Sequence, residues 1–164
     1  MQNSLSIIVS TLRKNLSTNY KTWCHFEEKV KLENDNSIGM YLNCSASYIV
    51  HPPKGGESIR EAFIDDAKYI CEYGVQLNFD EDSNKDFHIL LAEIFLDKGI
   101  PKETLNHVGL AKSILTKDED LNYWELEDVA ILEWHAYKQL HDGLKMHEVG
   151  KEAMRYKKMQ SNIR

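Results

Sequence analysis

A chain of 164 residues with 42% hydrophobic side chains is long enough for one domain that buries roughly 70% of its unfolded surface. No apolar run approaches the ~18 residues that cross a bilayer. The three cysteines, Cys24, Cys44 and Cys71, are odd in number and widely spaced, which argues against a disulfide framework and fits a reducing compartment.

The net charge of −6 is unevenly spread. Residues 1–56 carry 6 basic and 4 acidic side chains, a net +2; residues 57–133 carry 7 and 19, a net −12; residues 134–164 carry 7 and 3, a net +4. The acidic middle would repel a phosphate backbone and attract a basic protein, so nucleic acid is not the expected partner.

In chain order, Leu5, Ile8, Val9, Leu12 and Leu16 predict a helix over 4–16, and Tyr20, Trp23 and Val30 a second over about 19–33. Ile7-Ile8-Val9 lacks a basic stretch before it and a cleavage site after it, so neither a signal peptide nor an anchor is expected. Residues 33–37 read as a loop. Residues 38–50 fit two patterns: strand-like alternation from Met40 to Val50, or a helix with Ile38, Tyr41, Leu42, Ser45 and Ile49 on one side. A lone strand is unstable, so helix is favoured. A short strand pair of 38–50 with 75–79, where Val75, Leu77 and Phe79 alternate, is the competing arrangement.

His51-Pro-Pro-Lys-Gly-Gly56 breaks the chain. Ser58-Ile-Arg-Glu61 then reads as a capping box, opening a helix with Ile59, Phe63, Ala67, Ile70 and Cys71 on its buried stripe and Gly74 at its end. Residues 80–84 read as an acidic loop capping a helix from about 84 to 98, with Phe87, Leu90, Leu91, Ile94 and Phe95 inside. Gly99-Ile-Pro101 is a short joint to a helix over about 102–116, so the two helices are expected to be near neighbours. The longest apolar stripe is on residues 125–143, with Leu126, Val129, Ala130, Tyr137, Leu140 and Leu144 on one face and Gly143 as the terminator. Met146, Val149, Ala153, Tyr156 and Met159 mark a last helix whose outer side, Lys151, Arg155, Lys157 and Lys158, is basic.

Tested motifs fall short. Asp80-x-Asp82-x-Asn84-x-Asp86 starts like an EF-hand loop, but Lys85 stands where Gly is needed and Leu91 where a bidentate Glu is needed. Neither Glu-x-x-His pairs nor His-Glu-x-x-His occur. The loop 51–60 only superficially resembles that of the AMP-transferring Fic family, with the wrong His-to-Gly spacing and no Asn between the glycines. His141-Asp142 resembles metal-dependent phosphohydrolases in that dipeptide alone, and the later Asp they need is missing. No metal and no cofactor are expected.

Two groups of residues stand out. Glu133 falls on the apolar face with Tyr137 and His141 one and two turns on, which is either an internal polar site or a structural hydrogen-bonded network. Tyr123 and Trp124 lie among Asp118, Glu119, Asp120, Glu125, Glu127 and Asp128, and Asp80, Glu81 and Asp82 form a second acidic run. Aromatic anchors among acids suit protein docking.

The sequence therefore predicts an all-α single domain over 1–164, an irregular bundle of about six to eight helices. The expected function is non-enzymatic: a cytoplasmic inhibitor of the toxin-immunity kind that binds a basic, nuclease-like toxin through its acidic surface. It is expected to contact neither membrane nor nucleic acid. The competing readings are a small-ligand protein or enzyme with a pocket near Glu133, Tyr137 and His141, and a helical scaffold or regulator.

Overall fold

The computed structural model describes residues 38–117 and 121–161. The expected helices at 4–16 and 19–33 lie outside the described residues, as do Cys24, Asp118, Glu119 and Asp120. Among the described residues the protein is all-helical, with six α-helices and no strand. These are α1 (Ile38–Val50), α2 (Glu57–Leu77), α3 (Glu81–Asp97), α4 (Pro101–Leu115), α5 (Tyr123–Gln139) and α6 (Gly143–Ser161). None of them is long and apolar enough to cross a membrane. The chain divides into two compact units, Met1–Leu90 and Leu91–Arg164, with the division inside α3.

In the first unit α1 packs along α2. Ile38, Leu42, Ser45, Ala46 and Ile49 are buried, a spacing of three and four that only a helix can bring to one face. That periodicity overturns the strand pair of 38–50 with 75–79. Val75 and Leu77 lie in the last turns of α2, so no extended segment is available to pair. Gly74 does not end α2 either. It is buried within the helix, and a Cβ at this position would come within 2.8 Å of three Phe87 ring atoms. The absence of a side chain here is a packing requirement. The helix stops at Asn78, whose N–H makes the last i→i−4 bond, to the Gly74 carbonyl at 3.1 Å, and whose left-handed backbone (φ 50°) then turns the chain out of the helix.

The start of α2 also departs from the sequence pattern. Gly56 is the N-cap and no side chain caps the helix, so Ser58 lies inside the first turn rather than ahead of it. The Gly56 amide donates to the Pro53 carbonyl at 2.8 Å, and this tight turn admits the chain to the helix before Ser58. The acidic loop at 80–84 is mostly helix. Asp80 alone serves as the cap, accepting from the Ser83 amide at 2.7 Å and the Ser83 hydroxyl at 2.8 Å.

In the second unit α5 is the central helix, packed against α4 and most extensively against α6. Leu126, Val129, Ala130 and Ala136 are its buried residues. The C-terminal turn of α3 meets α4 where Phe95 stacks on His107, centroids 5.5 Å apart, but the main neighbour of α4 is α5. Leu140 and Leu144 are exposed, Leu144 by 70%, because α5 ends at Gln139 and the chain turns. The left-handed residue in that turn is His141 (φ 57°), not Gly143. Asp142 then caps α6 by accepting from the Lys145 amide at 3.0 Å, and Gly143 becomes the first helical residue.

Candidate functional site

The first turn of α5 is set by Asn122, whose side-chain oxygen accepts from the amides of Trp124 and Glu125 at 3.2 and 3.4 Å. Fixing that turn sends the two aromatics in different directions. Tyr123 faces Tyr156 of α6, ring centroids 6.3 Å apart, while Trp124 is 59% exposed. Trp124, Glu127 and Asp128 of α5 and Lys157, Gln160 and Ser161 of α6 line a cleft of about 560 Å³, within the range of roughly 300–1,000 Å³ usual for binding sites.

Gln160 ties the two walls together. Its side chain is only 8% exposed, and its Nε2 donates to the Tyr123 carbonyl at 2.9 Å and to Glu127 Oε2 at 2.8 Å. The Glu127 carboxylate is thereby held at the cleft wall. Beside it, partial burial and then the charges of Glu127, Glu93 and Glu125 push the Asp128 carboxyl above its ordinary value. The Asp128 carboxyl therefore gives up its proton less readily than an isolated one.

Of the residues singled out in the sequence, Tyr123, Trp124, Glu125, Glu127 and Asp128 share this one helix start. Asp80, Glu81 and Asp82 belong to the other unit, at the start of α3, with Lys85 3.7 Å from Asp82. Lys157 and Gln160 were not legible as site residues. Lys157 reads as one more cation on a basic helix, and a single glutamine near a helix end carries no sequence signal.

Glu133 has a partner on another helix. Lys112 of α4 donates to Glu133 Oε2 at 2.5 Å and to Glu152 Oε2 of α6 at 2.9 Å, and the Tyr156 hydroxyl donates to Glu152 Oε1 at 2.7 Å. One ammonium thus joins three helices. Burial lowers the Lys112 pKa, but the hydrogen bonds and charges of Glu133 and Glu152 outweigh it and hold the group above its ordinary value. Burial raises the Glu152 pKa, but Tyr156, Lys112 and Arg155 outweigh it and hold the carboxyl below its usual range. Burial, then the hydrogen bond and charge of Glu152, push Tyr156 up to about 12. Tyr137 is half-buried one turn beyond Glu133, and His141 is exposed in the turn after α5, so the three do not continue along one helical face.

Among the described residues no group of three or more His, Cys, Asp or Glu is placed to hold a metal. No protein-family model matches the chain, and no curated protein or solved structure matches it at a significant level.

Proposed function

We propose that this is a non-enzymatic binding protein that docks a basic protein partner at the Trp124 cleft. The observation that carries the reading is the 59% exposure of Trp124 on the rim of a cleft whose α5 wall is Glu127 and Asp128. A large aromatic that is exposed in the free chain gains most when a partner covers it. The crowding of Asp128 by Glu127, Glu93 and Glu125 is a repulsion that a cationic partner would relieve. Asp118, Glu119 and Asp120 precede this helix in the sequence and add to the charge that would steer such a partner. The narrower form of the proposal is a cytoplasmic inhibitor that neutralises a basic, nuclease-like toxin, with no membrane or nucleic acid as its target.

The test is capture on the immobilised chain from its native lysate, wild type against Trp124→Ala and Asp128→Lys. A basic protein held by the wild type, released by salt and lost in both variants is the expected result. An identical set of captured proteins on all three would overturn it. The inhibitor form further requires that the captured protein lose its activity at equimolar addition.

A further inference from the structure

The cleft carries more information than its charge, because Gln160 cannot change its role. Its amide is almost fully buried, and both Nε2 hydrogens are spent, one on the Tyr123 carbonyl and one on Glu127 Oε2. An amide locked in this way can offer an incoming group only its acceptor, Oε1. The Glu127 carboxylate, engaged through Oε2, keeps Oε1 for a further donor. Asp128 adds a third acceptor group to the same lining, and the Trp124 indole adds an aromatic face.

Resting on the docking reading above, we infer that the Trp124 cleft receives one arginine side chain of the partner, its guanidinium against the indole and its N–H groups donating to Glu127, Asp128 and Gln160. A guanidinium is planar, weakly hydrated and carries five donors in a fixed fork, so it can stack and satisfy several acceptors at once. A lysine ammonium is a compact, strongly hydrated charge that loses more water on entering and cannot stack. An anionic ligand would face two carboxylates and an acceptor oxygen, with Lys157 as the single cation in the described lining. Lys157 is exposed, so its ammonium can turn to solvent on its flexible stem, but it competes with any incoming cation. Removing it therefore separates the two ligand classes: an arginine binds more tightly without Lys157, an anion less tightly.

The experiment is nuclear magnetic resonance titration of the ¹⁵N-labelled full chain with blocked tetra-arginine and tetra-lysine peptides, the Trp124 indole signal being assigned with Trp124→Phe. Tetra-arginine is expected to shift the Trp124 indole and the Gln160 side-chain amide, and to bind about fivefold or more tighter than tetra-lysine. Asp128→Asn is expected to weaken tetra-arginine about tenfold, the scale of one charge-assisted hydrogen bond, and Lys157→Gln to tighten it. Equal affinity for the two peptides, or no shift at Trp124 and Gln160, overturns the arginine site while salt-sensitive capture of a basic protein through Trp124 still upholds docking. Weaker peptide binding in Lys157→Gln overturns it as well. Loss of the difference between wild type and Asp128→Lys in the capture experiment is the separate failure of the docking reading itself.

Discussion

Lys112 and Glu133, 21 positions apart, meet at 2.5 Å across α4 and α5, and the same ammonium reaches Glu152 of α6 at 2.9 Å. A carboxylate on the apolar face of a central helix is thereby neutralised by a cation from its neighbour. Lys112→Met leaves Glu133 and Glu152 partly buried without their shared cation. The expected loss is about 1–3 kcal/mol, less than for a fully buried pair because both carboxylates retain some solvent. Urea unfolding measures it. Adding Glu133→Gln to Lys112→Met is expected to recover part of the loss, since one of the facing charges is removed.

The same cluster makes stability fall at both ends of the pH scale. Glu152, held below its usual value of 4.5, contributes stability above that pH, and the contribution is lost as pH falls through its folded value. Lys112, held above 10.5, contributes fully below 10.5 and loses the contribution as pH rises through its folded value. Tyr156 ionises near 10 when unfolded and at about 12 when folded, so unfolding is favoured increasingly between those values. Unfolding midpoints across pH 9–12 are expected to drop less steeply in Tyr156→Phe than in the wild type.

Asp128 behaves in the opposite sense to Glu152. Its folded value lies above its ordinary 3.8, so folding resists its ionised form at neutral pH. Asp128→Asn is therefore expected to be more stable than the wild type at pH 7. Solvent screening of this exposed group limits the gain to about 0.3–0.5 kcal/mol. The advantage shrinks as pH falls through the raised folded value and is gone below 3.8, where the wild-type carboxyl is neutral in both states. A variant that gains stability while losing the partner would place Asp128 among residues kept for binding at the expense of the fold.

Gly74→Ala tests the contact with Phe87. Alanine in a helix gains up to about 1 kcal/mol over glycine, but the new Cβ collides with a buried aromatic ring, and overpacking of this kind costs about 1–3 kcal/mol. Net destabilisation is expected by thermal or urea unfolding. Phe87→Leu added to Gly74→Ala is expected to cost less than the two single changes together, because the smaller side chain makes room for the methyl group.

His141→Gly tests the turn between α5 and α6. The histidine sits at φ 57°, where a side chain is strained by about 1 kcal/mol. Glycine removes that strain but costs entropy in the unfolded chain, so a gain of about 0.5 kcal/mol is expected from the urea midpoint.

Periodicity alone determined the helical class and most of the helices in the described region. Phe87, Leu90, Leu91, Ile94 and Phe95 recur at helical spacing and are all buried on α3, because a 3.6-residue repeat leaves a segment one way to hide its apolar side. Local pattern misled where a long-range contact decided the outcome. Gly74 looked like a stop and is instead the space for Phe87. Gly143 looked like a cap, yet the chain turns at His141 because Asp142 caps the next helix. The same division runs through the candidate site. Tyr123, Trp124, Glu127 and Asp128 were legible because they are neighbours in one stretch of sequence. Gln160 and Lys112 act on residues 33 and 21 positions away, respectively. Only the packing of α4, α5 and α6 brings those donors to their carboxylates, since hydrogen bonds between helices depend on tertiary register that no local repeat encodes.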